Sequence, residues 1–235
     1  MSKIWKSEIN NAGSTEKAKI LSRFFKTGKG EYGEGDIFVG VTVPANREIA
    51  KKHFEADFPT IKSMLDSTIH EHRLSGLLAL VQKYKKKKTE RAEIVKFYLT
   101  LTDRINNWDL VDLSAPYILG DYLNENYDET IIEKLSNSPS IWERRIAIVS
   151  TLMMIRKNNI RLALELSEKY LTDTHPLIHK ATGWVLREVG KKNQQVLIDF
   201  LDKNTSIMPR TALRYAIERF NKETRTHYLN IPRQI

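Results

Sequence analysis

The chain has 235 residues, 41% of them hydrophobic, which is enough to bury a core in one domain or one short repeat array. Lys and Arg number 38 against 29 Asp and Glu, and the formal net charge of +9 favours a polyanionic partner, nucleic acid ahead of anionic membrane, although solubility alone also accounts for it. The absence of cysteine excludes a disulfide framework, a thiolate nucleophile and any zinc site that uses Cys.

The amino-terminal segment MSKIWKSEINN lacks the apolar stretch of a secretion signal. No run in the chain approaches the roughly 18 uninterrupted apolar residues of a membrane span. We therefore expect a cytoplasmic protein, in the bacterial cytosol or nucleoid, without membrane association. We also expect a monomer.

Apolar residues recur at helical spacing from about residue 47 onward, and glycine and proline are sparse, so the sequence predicts an all-α fold. The predicted helices cover residues 14–26, 45–57, 60–66, 68–84, 90–106, 108–124, 126–136, 140–157, 160–171, 174–190, 193–202 and 208–220. Between Lys26 and Pro44, closely spaced glycines predict a loop. The pattern assigns no role to the glycine-rich stretch 28–40.

Short connectors divide the predicted helices into pairs of about 35 to 40 residues, a period that indicates stacked helical repeats. Trp108, Arg145 and Trp184 follow one another at intervals of 37 and 39 residues, so equivalent helices would direct all three to one surface. We predict a single domain, residues 1–235, folded as a HEAT-like α-α solenoid with a concave groove suited to a long ligand. Core packing remains the alternative for each tryptophan.

Trp108 and Asp112 lie four residues apart in NWDLVD, so on a helix they share one face and place an acid beside an aromatic wall. In the alternative, Asp109 or Asp112 caps the helix or pairs with a Lys. This segment alone favours the alternative.

Two arginines, Arg144 and Arg145, fall in the first turns of the helix predicted from residue 140. A planar guanidinium at a helix amino terminus suits a phosphate contact. The competing interpretation for this pair is a surface ion pair with Glu143 or Asp128.

A stripe of three cations and one tryptophan follows the i, i+4, i+7, i+11 spacing of a helix: Lys180, Trp184, Arg187 and Lys191. Such a stripe can follow a nucleic-acid backbone. Gly183, beside the tryptophan, lowers helix stability and allows something to approach closely. The six histidines show no HExxH motif, so we expect no metal site and no cofactor.

Taken together, these segments resemble the DNA alkylation repair family of AlkD-type alkylpurine glycosylases. The resemblance spans most of the chain in order. The phrases that carry it are VGVTVPANR at 39–47, NWDLVDLSAPYILG at 107–120, SIWERRIAIVST at 140–151, LIHKATGWVLREVGK at 177–191 and MPRTALRYAIERF at 208–220.

The resemblance implies a cleft in which Trp108, Asp112 and Trp184 surround the deoxyribose of the damaged nucleotide, with Arg145 nearby on the DNA backbone. Asp112 would be the catalytic carboxylate. The resemblance also implies that Arg47 and Lys51 grip phosphates. With the cations found above, the expected DNA-binding residues are Arg47, Lys51, Arg144, Lys180, Arg187 and Lys191.

The implied activity is a monofunctional glycosylase acting on alkylated purines in double-stranded DNA. Alkylation at N7 of guanine or N3 of adenine makes the base cationic, so the base leaves neutral without a general acid, and one carboxylate with aromatic faces can stabilise the sugar cation. The alternative is a non-catalytic HEAT-like module that binds DNA structures or a protein partner.

Overall fold

A computed structural model describes residues 1–234, so the last residue of the predicted domain lies outside it. Within this range the chain is helical and has no β-strand, apart from one isolated bridge between Ile37 and Ile69. The prediction of an all-α fold is confirmed. The α-helices are α1 (Ser2–Asn11), α2 (Thr15–Phe24), α3 (Val43–Lys52), α4 (Phe58–Leu65), α5 (His70–Lys86), α6 (Arg91–Leu99), α7 (Trp108–Asp112), α8 (Asp121–Glu125), α9 (Glu129–Ser136), α10 (Ile141–Arg156), α11 (Arg161–Lys169), α12 (Pro176–Lys192), α13 (Gln194–Asn204), α14 (Arg210–Ala216) and α15 (Lys222–Asn230).

The helices group into two compact units, of which the first runs from Met1 to Ser114. Its centre is α5, which packs against α1, α3 and α4 and is buried on every side from His70 to Val81. Helix α1, which the sequence analysis did not predict, contributes Trp5 and Ile9 to this core. The Trp5 Nε1–H donates to Ser75 Oγ on α5 at 2.9 Å.

The second unit begins at Ala115. Its helix α10 packs against α9, α11 and α12, and α12 in turn packs against α13 and α14. This succession of neighbouring contacts is the packing expected of stacked helical repeats. Helix α15, also not predicted, begins after the capping side chain of Asn221 and buries Tyr228, whose hydroxyl donates to Asp202 at 2.7 Å.

The helix predicted over 108–124 is interrupted. Helix α7 ends at Asp112, a π-helical turn follows at Pro116–Gly120, and α8 begins at Asp121. Within the second unit, a Cβ atom on Gly120 would lie 2.0 Å from the carbonyl oxygen of Ser150, so the absence of a side chain allows the turn to pack against α10. This long-range contact has no counterpart in helical periodicity.

In the part of the chain that the structure describes, no helix combines the length and the apolar character needed to cross a bilayer.

Candidate active site

Trp108 and Asp112 lie at the two ends of the five-residue helix α7 in the first unit, and both are partly exposed. The Asn107 side chain caps the helix, because its Oδ1 accepts the Trp108 N–H at 2.8 Å. At the other end, Ser114 Oγ donates to the Leu110 carbonyl at 2.6 Å. A side-chain hydrogen bond therefore stabilises each end of the short helix that carries Trp108 and Asp112.

The Asp112 carboxylate has its charge close to the buried Tyr98. Burial, with a further contribution from Asp112, raises the pKa of the Tyr98 phenol, so this hydroxyl stays protonated. It exchanges a hydrogen bond of 3.0 Å with Ser114 Oγ just beyond α7. The Tyr98 phenol therefore adds no negative charge near the Asp112 carboxylate.

An aromatic cluster supports Trp108. Its ring stacks on Phe25 with centroids 5.1 Å apart and meets Phe24 edge-on at 5.8 Å. Its Nε1–H donates to the Tyr32 hydroxyl at 3.3 Å. Phe25 stacks in turn on Phe38. Residues from the end of α2 and from the glycine-rich stretch thus hold the tryptophan, a role the sequence analysis missed although aromatics alternate with glycines there.

A buried network of charged groups lies behind α7. The His70 imidazole contacts Asp36 Oδ2 at 3.0 Å and Asp109 Oδ2 at 2.8 Å, and Arg73 Nη2 donates to Asp36 Oδ1 at 2.6 Å. All four side chains are at most 7% exposed. Asp109, considered above as a helix cap, lies in this network, and its Oδ1 also accepts the Leu110 N–H at 2.8 Å.

The Glu71 side chain holds the segment before α3. Its Oε1 accepts the backbone N–H groups of Val39, Gly40 and Val41 at 3.1, 2.8 and 3.2 Å. Gly40 has φ of +87°, and a Cβ there would lie 2.0 Å from the Ser14 carbonyl oxygen, so glycine is required. This arrangement explains the glycine within VGVTVPANR and fixes the approach to the helix that carries Arg47.

A cavity of about 400 Å³ adjoins this region within the first unit. Its walls are mainly apolar, from Ile20, Leu21, Phe38 and Leu74, and His70 and Asp109 also line it.

In the second unit, Arg145 is 5% exposed. Its Nη1 donates to the Leu177 carbonyl oxygen at 2.6 Å, in the first turn of α12. Trp184 is partly exposed on the same α12. Helices α10 and α12 pack together, so Arg145 connects its own helix to the one that carries Trp184.

The six expected DNA-binding residues differ in whether their side chains form ion pairs with acidic residues of the same chain. Arg47 and Lys180 are exposed, and among the described residues neither has an acidic group within ion-pair distance. The other four are paired as Lys51 with Glu48 at 2.6 Å, Lys191 with Glu188 at 2.7 Å, Arg144 with Asp173 at 2.8 Å, and Arg187 with Glu218. Arg144 therefore has an ion pair, but with a partner that the sequence analysis did not consider.

No group of three or more His, Asp or Glu side chains suited to a metal ion occurs between residues 1 and 234.

Comparison with known proteins identifies one family. The model of the family described as DNA alkylation repair enzyme matches residues 5–220. A solved structure from Enterococcus faecalis, described as a predicted DNA alkylation repair enzyme, is similar with a TM-score of 0.71 and 21% identity, over 89% of this chain and 97% of that one. The crystal structure of AlkD2 from Streptococcus mutans has a TM-score of 0.56 and 16% identity, over 88% of this chain and 98% of that one. Among curated proteins, none matches the chain.

Proposed function

Because the chain belongs to the DNA alkylation repair enzyme family, we propose that it is a monofunctional DNA glycosylase. It hydrolyses the glycosidic bond of cationic N3- or N7-alkylated purines in duplex DNA and leaves an abasic site. The observation that carries the proposal is the pairing of Trp108 and Asp112, both partly exposed, on one short helix anchored at both ends.

The Asp112 carboxylate supplies the catalytic charge. As the bond between the sugar and a cationic purine breaks, positive charge moves onto the deoxyribose, and a preorganised anion lowers the energy of that transition state. Asp112 also orients or deprotonates the water that attacks the sugar. The electron-rich faces of Trp108 and Trp184 add cation–π stabilisation.

Arg145 completes the proposed set of active-site residues. We expect it to act near the DNA backbone, and its hydrogen bond to Leu177 gives it a second task, which is to hold the helix that carries Trp184. Because removal of the guanidinium would deprive the Leu177 carbonyl of this hydrogen bond, a substitution of Arg145 should disturb α12 as well as any DNA contact.

Duplex DNA is bound through its phosphates. Arg47 and Lys180 are the primary contacts in this proposal because each is exposed and keeps its charge available. Lys51, Arg144, Arg187 and Lys191 contribute only when their intramolecular ion pairs open. The protein acts as a monomer in the bacterial cytosol, where the chromosome lies.

The test is abasic-site formation in a methylated duplex, measured beside binding of the same duplex. The proposal predicts abasic sites in methylated DNA and none in an unmethylated duplex of the same sequence. Binding of both duplexes with no abasic sites in either would contradict the proposal and support the non-catalytic module.

A further inference from the structure

We infer that His70 is a positioning residue for Trp108 and Asp112: the imidazole bridges the carboxylates of Asp36 and Asp109 and so fixes the start of the helix on which both side chains stand. Its catalytic consequence rests on the function proposed above. The geometric claim can be tested separately.

The bridge requires a donor at each end of the ring. His70 Nδ1 lies 3.0 Å from Asp36 Oδ2, and Nε2 lies 2.8 Å from Asp109 Oδ2. Carboxylate oxygens accept hydrogen bonds, and a neutral imidazole has only one N–H. Both bonds therefore form together only with the imidazolium.

The network also reaches the residue before Trp108. Asn107 Nδ2 donates to Asp36 Oδ2 at 3.2 Å, while Asn107 Oδ1 accepts the Trp108 N–H. The network thus holds the residues on both sides of Trp108, because Asp36 bonds to Asn107 and His70 bonds to Asp109. Arg73 balances the charge of Asp36 with a hydrogen bond of 2.6 Å.

A second route leads from His70 to Trp108 through stacked rings. The imidazole lies on Phe38 with centroids 4.6 Å apart and beside Phe25 at 5.0 Å. Phe25 stacks on the Trp108 indole at 5.1 Å. Loss of the His70 ring would deprive the buried carboxylates of Asp36 and Asp109 of a shared hydrogen-bond donor. It would also loosen the stack of aromatic rings that leads to Trp108.

Helix α7 depends on such anchors because it has only five residues, and a helix of this length is not stable by itself. The directions of Trp108 and Asp112 are consequently set by the contacts at its two ends. Displacement of a catalytic group by about 1 Å can lower the rate about a hundredfold. The contacts that position α7 should therefore have a large effect on the rate of base release.

The charges around His70 favour the cation. Asp36 and Asp109 face it on two sides, Arg73 follows on its own helix, and Glu71 and Lys17 line the same cavity. Burial alone would lower the pKa of His70, but the two carboxylates outweigh burial and raise the pKa to about 9. Burial would raise the pKa of Asp36, but His70 and Arg73 lower it below its ordinary value.

The principal test variant is His70→Phe, which keeps an aromatic ring but removes both donors. The matched control is His72→Gln, on the same helix: His72 is buried and bonds to Ser67 and Asn10, not to α7. We expect single-turnover base release to fall at least about tenfold in H70F, with duplex affinity unchanged within about twofold, and to stay within about twofold of wild type in H72Q. Unchanged release by a folded H70F would overturn the inference.

A readout independent of catalysis is the Trp108 indole N–H resonance, which reports the bond to Tyr32. It should move in H70F and stay in place in H72Q. If wild-type protein releases no base, the proposed function fails, and this resonance alone decides the positioning: an indole signal unmoved in H70F would overturn it.

Asp109→Asn serves as a milder variant, should H70F fail to fold. Its side-chain oxygen still accepts the His70 hydrogen bond, but one charge is removed. We expect the pKa of His70, followed through its imidazole resonances, to fall and the release rate to drop severalfold. An unchanged His70 titration in D109N would show that the bridge is absent and overturn the inference.

Discussion

Gly183, the residue before Trp184, packs directly against Ala212: a Cβ atom on Gly183 would lie 2.3 Å from the Ala212 carbonyl oxygen and 2.5 Å from Tyr215 Cβ. The glycine therefore allows α12 to approach α14 within the second unit. The close approach that the sequence predicts at Gly183 is therefore that of the neighbouring helix α14. The position of Trp184 depends on this contact, since the two residues are adjacent on α12.

Gly183→Ala should destabilise the protein by about 1–3 kcal/mol, because the added methyl group meets backbone that cannot yield. Urea unfolding measures the change. The control is Gly190→Ala on the same helix, where the new Cβ would meet mainly the Leu197 Cδ2 at 2.4 Å, the end of a flexible side chain. Equal stability of the two variants would contradict the packing account.

Lys180→Ala and Arg47→Ala should each weaken duplex binding and reduce the slope of log affinity against log salt by about 1, as expected for one lost phosphate contact. Fold stability should not change, because both side chains are exposed. The control is Lys203→Ala, which removes an exposed cation paired with Glu168 and outside the expected contacts. Slopes equal to that of K203A would place the phosphate contacts elsewhere.

His70 should make stability fall at high pH. Its folded-state pKa of about 9 lies above the ordinary 6.5, so its stabilisation is fully present below about pH 6.5 and disappears as pH rises through about 9. A pKa difference of this size corresponds to roughly 3 kcal/mol. Unfolding free energies at pH 7 and pH 10 should differ more in wild type than in H70F. Equal differences would contradict the assignment.

Much of the fold follows from helical periodicity, but two kinds of feature escaped it. Helices α1 and α15 offer few buried positions, Trp5 and Ile9 in one and Tyr228 in the other, so their apolar signal is weak. The π-helical turn at Pro116–Gly120 contacts α10 through Gly120, a tertiary contact that periodicity does not predict.

The site shows the same division. The spacing of Trp108 and Asp112 predicts their common helix, because that relation is local. The support from His70 joins residues 34 and 39 positions away in sequence, and the partner of Arg144 lies 29 positions away. No periodic pattern connects such residues, so only the folded chain reveals them.

Lesion charge should govern substrate choice. The proposed site residues include one carboxylate, two tryptophans and an arginine, and no group assigned to protonate a leaving base. A neutral purine such as hypoxanthine is then a poor leaving group, and each barrier increment of about 1.4 kcal/mol costs tenfold in rate. Single-turnover release of 7-methylguanine should far exceed that of hypoxanthine from an otherwise identical duplex. Comparable rates would indicate a general acid.

The central claim, that Asp112 performs the chemistry, is tested most directly by single-turnover base release from a methylated duplex with wild type and Asp112→Asn side by side. We predict that D112N lowers the rate at least about a hundredfold, as the loss of a preorganised stabilising group does, while the thermal unfolding transition is retained. A folded D112N that releases the base at the wild-type rate would contradict the account.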